Sequence, residues 1–198
     1  MIDLVLLLAL AAAPDPDALD HLSAALGRAA GWQAEFVQRY TPEGFDTGTT
    51  ESGHVTLAPP AQLRFDYTSG APRVFASDGS VGRLVDPGAA SCDAVRLDAG
   101  AWGRLPLAAA LDPTAARRAF VVRSEGQEIR LVPREPTPEL AEISITIGPD
   151  GLPASVTVRD ASGDRNHFTF SGWSARGAPP PSFFRPSLPG SSPCAPEQ

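Results

Sequence analysis

The spacing of apolar positions follows a helical period near the start of the chain and a strand period almost everywhere after it. From Asp17 to Gly31, Leu19, Leu22, Leu26 and Ala29 or Ala30 recur at three- and four-residue steps, with His21, Ser23 and Arg28 elsewhere. This predicts an amphipathic helix that stops at Gly31. From Trp32 to Thr41 the period is two, with Ala34, Phe36, Gln38 and Tyr40 on one face and Glu35, Val37 and Arg39 on the other, as in a half-buried strand. The alternation returns in Gly53 to Leu57 and, after the Ala58-Pro59-Pro60-Ala61 turn, in Gln62 to Tyr67, where Leu63, Phe65 and Tyr67 oppose Gln62, Arg64 and Asp66. Arg73 to Ser77 and Val81 to Asp86 read as a hairpin around Asp78-Gly79.

The pattern then breaks. Pro106 to Leu111 (PLAAAL) predicts a short helix ended by Asp112-Pro113, and Thr114 to Ala119 a further helical turn. Strands resume at Phe120 to Arg123, Glu128 to Val132, Ala141 to Ile147, Pro153 to Arg159 and His167 to Gly172, with Pro149-Asp150-Gly151 turning the third into the fourth. The expected fold is therefore mainly β (α+β): an incomplete antiparallel half-barrel of about ten strands, because the connections are too short for parallel crossovers. A sheet of that size curls, and its concave face needs an apolar cover, for which the N-terminal helix and the short helices are available as a lid. Leu63, Phe65, Tyr67, Phe75, Leu84, Val121 and Ile145 either line an apolar cavity or pack against those helices as ordinary core. The alternation leaves both open.

Composition narrows the function classes. The chain has 198 residues with 23 acidic and 16 basic side chains, for a formal charge of -7, so no long-range positive field draws in nucleic acid. Every basic residue apart from the histidines is Arg, which excludes Schiff-base lysines and the P-loop lysine. His21, His54 and His167 sit in helix-surface or strand contexts, no nucleophile, metal-ligand or paired-carboxylate motif is present, and Asp78 fits a turn. The expectation is no enzyme, no metal and no cofactor.

Leu4 to Ala13 is an apolar run followed by Pro14-Asp15, too short to span a bilayer at about 20 residues and suited to a signal peptide, although Asp3 stands where a basic residue is usual. Residues 1–13 are thus expected to be a signal peptide, 14–186 one domain and 187–198 a Pro/Ser-rich tail. Cys92 and Cys194 either form a disulfide tying that tail to the body or remain two free thiols.

Several segments in order resemble the LolA family of periplasmic lipoprotein carriers: Ala34-Glu35-Phe36-Val37-Gln38-Arg39, Ser52-Gly53-His54-Val55-Thr56-Leu57, Leu63-Arg64-Phe65-Asp66-Tyr67, Phe75-Ala76-Ser77-Asp78-Gly79, Pro106 to Leu111, Ile129 to Pro133, Ile143 to Gly151 and Phe168-Thr169-Phe170-Ser171. The resemblance implies a carrier in the periplasm, a monomer, that takes acylated lipoproteins from an inner-membrane ABC transporter and passes them to an outer-membrane acceptor. Alternation and resemblance together place Phe36, Leu63, Phe65, Tyr67 and Phe75 on the lipid-binding wall and Leu19, Leu22, Leu107 and Leu111 on the lid. Two departures stand out: Pro59 occupies the place of a family arginine that latches the lid, and Val81-Gly82 replaces a frequent aromatic. The alternative is a sensor or binding domain of the same fold that does not transport. The acceptor class, itself a lipoprotein, would need a cysteine after the signal core.

Overall fold

The computed structural model describes residues 17–97, 105 and 107–196, so the expected signal peptide lies outside the described residues. Helix α1 spans Ala18–Leu26. The strands are β1 (Gly31–Thr41), β2 (Thr49–Ala58), β3 (Gln62–Tyr67), β4 (Arg73–Ser77), β5 (Val81–Asp86) and β6 (Ser91–Arg96), then β7 (Phe120–Glu125), β8 (Glu128–Pro133), β9 (Glu142–Ile147), β10 (Pro153–Arg159) and β11 (Arg165–Arg176). Two short helices, α2 (Ala108–Leu111) and α3 (Pro113–Ala119), stand between β6 and β7, and a 3₁₀ turn at Pro181–Phe184 follows β11.

All eleven strands belong to one antiparallel sheet in the order β6-β5-β4-β3-β2-β1-β11-β10-β9-β8-β7, open at both ends. Two meanders are joined where β1 meets β11, from Gly31 opposite Arg176 to Thr41 opposite Arg165. The connection from β6 to β7 therefore runs from one edge of the sheet to the other. α2 and α3 lie on that route, and Ala108 to Leu111 and Ala116 are buried in the same apolar cluster as the inner face of the sheet. A lid thus follows from connectivity as much as from apolar pattern.

Three expectations need correction. The first helix stops at Leu26, not Gly31: the Gly27 N–H bonds back to the Ser23 carbonyl at 2.9 Å, and the Trp32 indole N–H donates to the Leu26 carbonyl at 2.7 Å. That indole satisfies one of the carbonyls a helix end leaves free, and Gly31 instead opens β1. β6 is a strand with no counterpart in the apolar pattern, because Ser-Cys-Asp-Ala-Val-Arg has almost no apolar alternation; as an edge strand it has little core to face. Val121 belongs to the outer face, opposite Val132, and is 38% exposed.

The chain after β11 crosses the outer face of β3 to β6. Arg64 donates to the Phe183 carbonyl at 2.8 Å with its guanidinium 4.4 Å from the centre of that ring, and Phe184 is fully buried. Cys92 and Cys194 form a disulfide across 102 residues of chain. Beside it Arg83 donates to the Cys194 carbonyl and, with Arg185, to the Asp78 carboxylate, at 3.0 to 3.1 Å.

Candidate functional site

Register brings the expected wall together. Val55 pairs with Phe65, Leu57 with Leu63 and Phe65 with Phe75 across β2, β3 and β4, while Phe36 lies opposite Gly53. A Cβ at Gly53 would stand 1.9 Å from the Asp66 carbonyl oxygen and 3.0 Å from the Phe36 ring. The glycine is what lets the ring cross the sheet there. Phe36 meets Phe65 and Tyr67 edge-on, at centroid distances of 5.2 and 5.1 Å, and Phe168 lies 5.7 Å from Phe65. Such edge contacts are the favoured geometry for aromatic pairs.

At one end the wall turns polar. The Tyr67 hydroxyl donates to Gln38 at 2.6 Å, and Gln38 donates to Asn166 at 2.8 Å. The Arg73 guanidinium stacks 4.0 Å above the Tyr67 ring and is paired with Glu51. Burial pushes the Tyr67 hydroxyl up to about 12, so it is a neutral donor at physiological pH.

Of the expected residues, Leu19, Leu22, Phe36, Leu63, Phe65 and Leu107 are at most 2% exposed and Leu111 is 5% exposed, in one apolar cluster; Tyr67 and Phe75 are half-buried at its margin. The wall is therefore covered by α1 and α2, whose side chains occupy the concave face. Sequence reasoning misses Phe168, Phe170, Trp32 and Trp173, which extend the wall through β11 and β1. Their alternation is legible in Phe168-Thr169-Phe170. Their position next to β1, rather than at a distant edge, is not. A hollow of about 210 Å³ between α3 and the end of β8 is lined by Arg118, Phe120, Pro133, Arg134, Glu135 and Leu140 among others, and by none of the nine expected residues.

No cluster of three His, Cys, Asp or Glu is placed to hold a metal ion among the described residues. Pro59 has no side-chain donor to latch a lid, and Arg64 and Arg39 point to the outer face, onto the Phe183 and Asp46 carbonyls.

The model of the family described as outer membrane lipoprotein carrier protein LolA matches residues 28–187. The chain belongs to the LolA family. The outer-membrane lipoprotein carrier protein of Xanthomonas campestris pv. campestris (strain B100) is 31% identical over 150 residues, 72% of this chain and 71% of that one. In fold, an uncharacterized conserved protein from Thermus thermophilus aligns at a TM-score of 0.55 and 12% identity, over 88% of this chain and 94% of that chain. MucB aligns at 0.47 and 17% identity, over 86% of this chain and 62% of that chain. The LolA family is one of carriers, not of enzymes.

Proposed function

We propose that this periplasmic protein carries lipoproteins by sheltering their acyl chains against Phe36, Leu63, Phe65, Tyr67 and Phe75, beneath a lid built on Leu19, Leu22, Leu107 and Leu111. The observation that carries the reading is the match of a buried aromatic wall with a lid made of two separate chain segments, in a chain of the LolA family. The cargo comes from an inner-membrane ABC transporter and is passed to an outer-membrane acceptor, with the carrier acting as a monomer.

In the described state the lid fills the place the acyl chains would take. Each buried methylene is worth about 0.8 kcal/mol, so a multi-chain lipid in an empty, rigid pocket would be held too tightly to hand on. Here part of that gain is spent displacing Leu19, Leu22 and Leu107, which are themselves fully buried. Competition between lid and cargo weakens the hold and makes release possible.

The test is mass spectrometry under native conditions on protein purified from an exporting host. Co-purified acylated lipoprotein or phospholipid, lost in a Phe75→Glu variant, is the expected result. Phe75 is preferred to Phe65 for this change because it is half-buried, whereas Phe65 at 2% exposed would leave a charge unpaired in the core. A ligand-free protein that also ignores acyl probes would favour a non-transporting binding domain.

A further inference from the structure

The lid has two halves that are distant in sequence: α1, and the α2–α3 segment between β6 and β7. α3 is tied to the sheet at its end, where Phe120 begins β7 and Arg134 of the following β8 end donates to the Arg117 carbonyl at 3.2 Å. Among the described hydrogen bonds, those that tie α1 to the sheet side lie at its C-terminal end, where the Trp32 indole donates to the Leu26 carbonyl at 2.7 Å and Arg28 to the Asp150 carbonyl at 3.2 Å. At its N-terminal end the described polar link to α3 is made by one side chain. Arg117 reaches Asp17 at 2.8 Å and Asp20 at 2.9 Å, and among the described ion pairs these two alone join the halves.

We propose that Arg117 is a clasp between the two halves of the lid, and that its release lets α1 swing about the Leu26–Trp32 end and admit cargo; the gating of cargo rests on the carrier reading above.

The geometry has the properties a reversible clasp needs. Arg117, Asp17 and Asp20 are each 37 to 40% exposed, so water screens the pairs and each contributes modestly. Asp17 is also the N-cap of α1, accepting from the N–H groups of Leu19 and Asp20 at 3.0 and 3.1 Å. The carboxylate that starts the helix is thus the one the clasp grips. A free helix of nine residues is marginal in water, so an unclasped α1 also frays, exposing Leu19 and Leu22. The Arg117 side chain bonds Asp17, Asp20 and the Pro113 carbonyl and none of the wall residues; it is a positioning residue.

Backbone amide exchange in α1, read without ligand, tests the clasp directly. Arg117→Gln should raise exchange at Leu22 to Leu26 roughly two- to thirty-fold, the range for two partly exposed pairs. Asp20→Asn should raise it less, and the double variant no more than Arg117→Gln alone, because all three remove the same fork. High salt should raise exchange in the wild type and hardly in Arg117→Gln. Arg117→Lys, which keeps the charge without the fork, should fall between. Association of a fluorescent palmitoyl probe should speed up by the same factor as the exchange. Unchanged α1 exchange in Arg117→Gln, or additive effects of the two single changes, overturns the clasp. If exchange responds as described while even the wild type takes up no probe, the clasp stands and the carrier reading falls.

Discussion

Ala110→Leu separates a lid that competes with cargo from a lid that is simply core. Ala110 is fully buried on α2, between Ala109 at 3% and Leu111 at 5% exposure, so the added carbons find no room when the lid is docked. Leu is nearly as good a helix former as Ala, and the cost therefore falls on docking and not on α2 itself. Overpacking of this kind costs about 1–3 kcal/mol. At about 2 kcal/mol the open population rises roughly 30-fold, and the apparent dissociation constant for an acyl probe falls by up to the same factor. The melting temperature drops by roughly 4–8 °C, since the docked lid is part of the folded core. The assay is fluorescence titration with a palmitoyl probe, alongside thermal unfolding and circular dichroism. A destabilising substitution that tightens binding is the signature of competition. A folded variant with a lowered melting temperature and unchanged or weaker probe binding would mean that the lid does not compete with cargo.

Cys194→Ser, or reductant on the wild type, should lower stability by up to about 4–5 kcal/mol, the chain-entropy figure for a closed loop of this length, read as a fall in melting temperature that the variant no longer shows with reductant. Burial works to raise the Asp78 carboxyl, but hydrogen bonds from Ser80, the Val81 N–H and Arg83 outweigh it and hold it well below the usual range. Its contribution is therefore complete at neutral pH and lost only as pH falls below about 4; Asp78→Asn should cost about 2 kcal/mol at pH 7, and denaturant titrations should show the gap to wild type closing in acid. Both tyrosines titrate late: a hydrogen bond to Asp164 raises Tyr40, and burial raises Tyr67 to about 12. Their contribution to stability is complete below pH about 10 and lost as pH rises from there, so tyrosinate absorbance should lag that of the denatured chain in an alkaline titration.

The wall is legible in the sequence because β1 and β3 alternate strictly: Phe36, Phe65 and Leu63 can face only one way once Arg39, Arg64 and Asp66 face the other. The helices are legible in kind but not in extent. Gly31 reads as a stop because the stretch before it is helical in pattern, yet the helix is capped four residues earlier at Gly27, where the Trp32 indole folds back onto the Leu26 carbonyl, a contact that apolar spacing alone does not reveal. β6 and the outer-face strap escape because both are held by contacts far apart in sequence: the Cys92–Cys194 bridge, Arg83 on the Cys194 carbonyl, Asp78 with Arg185, and Phe184 seated on the back of the sheet. Val121 reads as core on its apolarity alone, and the pairing of β7 with β8 turns it outward. The Arg117 fork has no local sign, since Asp17 and Arg117 are 100 residues apart.

Lipoprotein carriage by this protein requires that acyl chains come to rest on the aromatic wall. A lipid with a photoreactive group at the end of its acyl chain, bound to the purified protein and cross-linked, tests it most directly. Saturable labelling of peptides from α1, β1, β3 and β4 that contain Leu22, Phe36, Phe65 and Phe75, competed by unlabelled lipid, is the expected result. Labelling confined to outer-face residues such as Val37, Val121 and Val132, or none that saturates, would contradict it.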